Sequence, residues 1–245
     1  MPISEDAFHH VPNLKGKIVD PDTSFYRVTR ETFWGPEVFN AEPETYARNM
    51  LSHEVREASR AQTMKGRLDR DLWLFAYGSL IWDPAIHFDE VRLARLEGFQ
   101  RSFCIRISLG RGTEENPALM LNLDHGGQVD GLAFRIPAEK IEQEAEIVWQ
   151  REMFIAGYAP RFVQLETPQG SIEALAFAVD RTNPSYTGVM SLEQTALAIN
   201  QGEGPLGTTL EYLENLMDHL DIVEIEDQAM AQLLARAREL KAIEE

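Results

Sequence analysis

Glu152 stands where a water-soluble helix would carry an apolar side chain. The spacing of residues 138–154 predicts a helix, and on a wheel of about 100° per residue Ile141, Ala145 and Val148 form its apolar stripe. Glu152 lands in the middle of that stripe, whereas Glu139, Glu142 and Glu146 fall on flanking or opposite faces and Glu144 near its edge. An unpaired buried carboxylate is costly and responds by raising its pKa. Two readings stay open. In one, the helix ends or bends near Gln150, or Glu152 pairs with a buried arginine such as Arg101 or Arg106. In the other, Glu152 is a general base in a partly dry pocket, where a free Glu near pKa 4.3 is lifted to about 6–7 and becomes useful against an amine near 8.

The second chemical feature is the run Leu72-Trp73-Leu74-Phe75-Ala76-Tyr77-Gly78-Ser79-Leu80. Its apolar start reads as a buried strand that breaks at Tyr-Gly-Ser. Gly78 admits unusual dihedrals and leaves room for a ligand against the main chain. A strand ending in such a turn aims several backbone N–H groups one way, which suits a carboxylate or an oxyanion; a plain turn between core strands is the commoner fate of this tripeptide. The arginines complement it. Between Val91 and Gly112 there are five (Arg92, Arg95, Arg101, Arg106 and Arg111) against one acid, Glu97. Arg101 and Arg106 are an odd number of positions apart, so a regular strand points them to opposite faces and sets one toward a pocket; edge charges in solvent are the alternative.

The elements that must position these groups follow from pattern. Strands are expected at 72–77, 103–107, 118–123, 128–136, 162–165 and 172–179, with Asp124-His125-Gly126-Gly127 as a hairpin turn. Short strands joined by hairpins around one helix predict an α+β fold, a largely antiparallel or mixed sheet or barrel with packed helices. After Tyr186 the chain turns helical: Ser191 starts one helix, while Leu210, Leu213, Met217 and Leu220 share a face, as do Met230, Leu233, Leu234 and Ala237. Residues 1–70 read as an N-terminal arm with one amphipathic helix from Pro43 through Ala47, Leu51, Val55 and Ala58, and residues 71–245 as the main domain.

The totals exclude some partners. With 40 acidic against 23 basic side chains, a net charge of -17, the chain suits neither nucleic acid nor an anionic membrane. A single cysteine, Cys104, fits a reducing cytosol. No run approaches the roughly 20 apolar residues of a spanning helix, and Met1-Pro2-Ile3-Ser4-Glu5-Asp6 lacks signal-peptide character. Ser79 lacks the Gly-x-Ser-x-Gly elbow, the six histidines show no ligand spacing, and Gly202–Thr208 lacks a P-loop lysine.

The run Phe75-Ala76-Tyr77-Gly78-Ser79-Leu80-Ile81-Trp82 resembles the signature loop of the ChaC-type gamma-glutamylcyclotransferases. Arg101-Ser102-Phe103-Cys104, Gly110-Arg111-Gly112-Thr113, Gly131-Leu132-Ala133-Phe134-Arg135, Arg151-Glu152, Asn183-Pro184-Ser185-Tyr186 and Gly204-Pro205-Leu206-Gly207-Thr208 follow in the family's order. The resemblance spans about 73–220. It implies a small mixed barrel with helices around it and cleavage of glutathione to 5-oxoproline and cysteinylglycine without metal or cofactor. By the same resemblance Glu152 is the acid/base, and the signature loop Phe75, Ala76, Tyr77, Gly78, Ser79 and Leu80 holds the γ-glutamyl part. Leu74 before the loop, Arg101 from the arginine cluster and Tyr186 through its hydroxyl are the further residues expected to bind substrate. Two departures stand out. Ala76 replaces a frequent Gly, and Met153-Phe154-Ile155-Ala156-Gly157-Tyr158 replaces the Lys-Gly-Gly-Tyr type segment of eukaryotic members, which bears on the leaving-group side. The alternatives are a cyclotransferase of other γ-glutamyl amino acids or amines, and a γ-glutamyl-binding protein without turnover.

Overall fold

Five strands close the barrel that the alternating pattern predicts, in the order β1-β3-β2-β4-β5. They are β1 (Leu72–Ala76), β2 (Glu90–Ile107), β3 (Ala118–Ile136), β4 (Tyr158–Thr167) and β5 (Gly170–Val179). The computed structural model describes residues 3–244, so Met1 and Pro2 of the N-terminal run read above lie outside the described residues. Most neighbours pair antiparallel, and β1 closes against β5 in parallel through Trp73 with Ala174 and Leu74 with Leu175. Leu74, Phe75, Leu132, Phe134, Leu175 and Phe177 are buried together, and each such side chain is worth about 1.5–3 kcal/mol of burial.

The expected hairpin at Asp124-His125-Gly126-Gly127 is not there. Residues 118–136 form one strand, β3, which runs along β2 for nearly its whole length. Its glycines serve a bulge: Gly126 and Gly127 take φ of 146° and 43° opposite a shift between Glu97 and Phe99, where Gly98 has φ of 79°. Positive φ at glycine bends a ribbon as readily as it reverses one. The real β2–β3 connection carries Gly110-Arg111-Gly112.

Gly131 sets where β1 ends. A Cβ there would sit 2.3 Å from the carbonyl oxygen of Ala76, the last residue before the Tyr77-Gly78-Ser79 turn. Gly131→Ala is therefore expected to lower stability by about 1–3 kcal/mol or more through overpacking against main chain that cannot yield. A denaturant midpoint equal to that of the natural protein would contradict this close approach.

The arm holds two helices instead of one, α1 (Pro43–Asn49) and α2 (His53–Thr63). They part because the segment after the next helix takes their backbone: Met50 bridges Ile155, and the Leu51 N–H donates to the Phe154 carbonyl at 2.8 Å. Ser52 then caps α2, and Val55 is 49% exposed, off the packed face. The arm's Ala7, Phe8, Val11 and Leu14 enter the same core as the barrel. The helix predicted over 138–154 is a 3-10 turn (Ala138–Lys140) followed by α3 (Ile141–Glu152). Glu144, read from the wheel as an edge position, is buried. It receives a two-pronged bond from Arg27 at 2.7 and 2.9 Å and one from the His87 N–H at 3.1 Å. Three helices complete the chain, α4 (Leu192–Gln201), α5 (Thr209–Ile222) and α6 (Gln228–Glu244); Ser191 and Thr208 open the first two with reciprocal caps. Between α4 and α5 a two-stranded hairpin pairs Glu203 with Thr208. Among the described residues, no helix is long and apolar enough to cross a membrane.

Candidate active site

Glu152 is the last residue of α3, and its carboxylate opens into a cavity beside the Tyr77-Gly78-Ser79 turn. The polar lining is Ser79, Arg111, Arg151, Glu152, Tyr158 and Tyr212. Apolar lining comes from Ile107, Leu109, Leu119, Leu121, Phe154 and Leu206, with the ring of Tyr26 from the arm. The Glu152 side chain keeps 12% of its exposure and takes one hydrogen bond, from Arg151 Nε at 3.1 Å. Burial raises its pKa above the ordinary 4.5, against the charge and hydrogen bond of Arg151, which pull it down. Of the two readings the sequence left open, the first holds in part: the helix ends at Glu152 and its carboxylate pairs with a buried arginine, which is Arg151 and neither Arg101 nor Arg106, yet it still lines the cavity.

Arg151 organises the neighbourhood. Its Nη2 donates to Ser79 Oγ at 3.0 Å, its Nη1 donates to the Asp83 carbonyl, and its guanidinium lies 4.7 Å from the Tyr26 ring centroid. One side chain thus ties the signature turn to α3 and touches Glu152. Such a neighbour keeps the carboxylate from drifting to fully protonated while burial keeps it from being a weak base.

Of the run 74–80, Ser79 is the residue that lines the cavity. Leu74, Phe75, Ala76 and Leu80 are core, so the extra methyl of Ala76 points into packing. Tyr77 is buried and donates its hydroxyl to the Phe177 carbonyl at 2.9 Å across the barrel. Gly78 leaves space for the Tyr212 hydroxyl, which a Cβ would meet at 2.8 Å. The Ser79 N–H donates to that hydroxyl at 3.1 Å, so this amide is already used. Among the described residues, the amides of Gly78 and Leu80 have no acceptor.

Arg101 and Tyr186 do not line the cavity. Arg101 sits behind the turn, its side chain 1% exposed, donating to the carbonyls of Tyr77 and Asp130 at 2.6 Å each and to Asp227 at 2.9 Å. Tyr186 bridges Ile105 and donates to Asp124 Oδ2 at 3.0 Å. Their places are taken by residues that sequence reasoning did not assign. Tyr158 donates to the Leu121 carbonyl at 3.1 Å, and burial holds its phenol far above the usual range. Tyr212, pushed up to about 12 by burial, accepts from Ser79 and keeps its own proton to donate. Arg111 donates to the Thr208 carbonyl at 2.8 Å, and its guanidinium lies 5.4 Å from the Tyr212 ring centroid. The Gly110-Arg111-Gly112 motif was the available signal for Arg111; nothing in the α5 pattern singled out Tyr212.

The fold and the cavity define a class: a closed barrel with one carboxylate set among phenols and guanidinium groups. Comparison with known proteins gives the same class a family. A family model described as ChaC-like protein matches residues 72–240. The glutathione-specific gamma-glutamylcyclotransferase of Escherichia coli (strain K12) is 38% identical over 195 residues, covering 79% of this chain and 84% of that one. The glutathione-specific gamma-glutamylcyclotransferase 1 of Homo sapiens is 29% identical over 170 residues, covering 66% and 77%. A crystal structure of a gamma-glutamyl cyclotransferase specific to glutathione from yeast aligns with a TM-score of 0.64 at 21% identity, covering 69% of this chain and 96% of that one, which shows the shared fold. The chain belongs to the ChaC-like family.

Proposed function

We propose that the protein is a gamma-glutamylcyclotransferase that cleaves glutathione to 5-oxoproline and cysteinylglycine. The observation that carries this reading is the position of Glu152, buried, raised in pKa and open to a cavity next to Ser79. The names of the relatives support the substrate. The α-amine of the γ-glutamyl group attacks its own γ-carbonyl carbon. A new C–N bond closes the five-membered lactam, and the C–N bond to cysteine breaks. Glu152 takes a proton from the α-ammonium and gives it to the departing nitrogen; the second proton, shed by the attacking nitrogen as the lactam closes, follows through Glu152 to the freed amine, which leaves as an ammonium, so protons balance and Glu152 ends ionised as it began. Because nucleophile and electrophile share one molecule, folding the glutamyl arm into a near-attack shape lowers the barrier by up to about 7–11 kcal/mol. The Tyr212 hydroxyl is the donor for the developing oxyanion or the α-carboxylate, and Arg111 supplies a positive charge for a carboxylate. The compartment we assign is the cytosol, where the buried thiol of Cys104 stays reduced.

The test is 5-oxoproline release from glutathione and from γ-Glu-Ala under identical conditions. Glutathione is expected to be the better substrate by kcat/KM. Equal or greater turnover of γ-Glu-Ala would move the protein to the cyclotransferases of γ-glutamyl amino acids, and no release from either would make it a binding protein.

A further inference from the structure

We propose that the N-terminal segment Ser24–Arg27 is part of the active site, and that Tyr26 is a specificity residue that contacts the leaving-group half of the bound γ-glutamyl peptide. This rests on the cyclotransferase reading above. Tyr26 precedes the family-matched region, which begins at Leu72, yet its ring lines the same cavity as Glu152. The segment is pinned on both sides of it. Ser24 Oγ donates to Asp83 Oδ1 at 2.7 Å and accepts from the Tyr26 N–H at 3.0 Å. Arg27 donates to the Ala85 carbonyl at 2.8 Å and grips the buried Glu144 of α3. Trp34 braces the Tyr26 ring edge-on, at 5.8 Å and 88°. A ring fixed by its chain neighbours on two elements of the catalytic body is held as rigidly as a barrel residue.

The chemistry around Tyr26 says which part of the substrate it meets. The γ-glutamyl half carries an ammonium and a carboxylate and belongs with Ser79, Glu152, Arg111 and Tyr212. Tyr26 instead joins Ile107, Leu109, Phe154 and Leu206 in one apolar cluster with Trp34 and Phe39 of the arm. That wall suits a soft, weakly polar side chain such as a cysteine thiol on the departing residue. Phe154 belongs to the segment that departs from the eukaryotic pattern, so Tyr26 and that departure lie on one wall. The Tyr26 hydroxyl has no hydrogen-bond partner among the described residues, and the ring face lies on Arg151.

The experiment measures kcat/KM for glutathione and γ-Glu-Ala with the natural enzyme, Tyr26→Ala, Tyr26→Phe and Val55→Ala. Val55 lies on the arm, 49% exposed, and does not line the cavity. Tyr26→Ala is expected to lower kcat/KM for glutathione by about 10-fold and to narrow the glutathione-to-γ-Glu-Ala ratio by about 5-fold or more. Tyr26→Phe and Val55→Ala are expected to keep the natural ratio. An unchanged ratio in Tyr26→Ala, or an equal shift in Val55→Ala, overturns the contact while leaving the cyclotransferase reading intact. No turnover of either substrate by the natural enzyme overturns both.

Discussion

Glu152→Gln is expected to lower 5-oxoproline release from glutathione by about 10²–10⁴-fold, the range for removing a positioned acid/base group, with KM little changed. Gln is nearly the same size and still accepts from Arg151 Nε, so the turn, the cavity and ligand binding persist while proton transfer is lost. The same variant is expected to be more stable than the natural protein at neutral pH, because it removes a carboxylate that burial penalises when ionised. The gain has a definite pH dependence. The folded pKa of Glu152 lies above the ordinary 4.5, so the natural protein is relieved of the penalty below 4.5 and loses that relief as pH rises through the folded value. The stability difference between Glu152→Gln and the natural protein therefore opens over that window and stays open above it. Urea midpoints at a series of pH values check this; a Glu152→Gln protein that turns over normally, or one less stable at neutral pH, would contradict the assignment.

Arg101→Met carries the largest expected loss of stability. The guanidinium is buried and joins three parts of the fold: the Tyr77 carbonyl at the end of β1, the Asp130 carbonyl in β3, and Asp227, whose Oδ1 caps α6 through the Met230 N–H at 3.0 Å. Burial pulls the arginine's pKa down and Asp227 holds it up. Truncation removes a donor from the Tyr77 and Asp130 carbonyls and takes the ion-pair partner from Asp227. Breaking such a pair from one side costs about 3–5 kcal/mol, and the Tyr77-Gly78-Ser79 turn loses the bond that fixes its first carbonyl. Thermal unfolding and glutathione turnover should therefore fall together in Arg101→Met. A variant with natural stability but lost substrate affinity would instead make Arg101 a ligand of the substrate, as the arginine cluster in the sequence suggested.

The site was legible where one element's geometry sufficed. Helical spacing turned Glu152 inward, and the glycine break after β1 marked the turn that carries Ser79. It failed where a second element decides the role. The odd spacing put Arg101 and Arg106 on opposite faces, and Arg106 is exposed, but which side of the turn Arg101 occupies depends on how β1 crosses β3, and that is set by Gly131 and Ala76 in contact. Glu144 could be placed on the wheel but not in the grip of Arg27, more than a hundred residues earlier. Tyr26, Arg111 and Tyr212 come from the arm, a loop and α5, and no local pattern brings them together. Glycine was the other source of error: Gly126 and Gly127 have turn chemistry, and only their pairing partners across β2 show that they serve a bulge. The break at Met50 was hidden for the same reason, since backbone bonds to Phe154 and Ile155 override a helical pattern.

The central claim is that the Glu152 carboxyl holds its proton to a higher pH than a free glutamate and gives it up within the working range of the enzyme. Infrared difference titration of the natural protein against Glu152→Gln reads that proton directly through the carboxyl C=O stretch. A protonated band that persists above pH 4.5, with a midpoint matching the acidic limb of kcat/KM for glutathione, is the predicted result. A midpoint at or below the free-glutamate value, or an acidic limb unrelated to it, would show that this carboxylate is not the proton carrier.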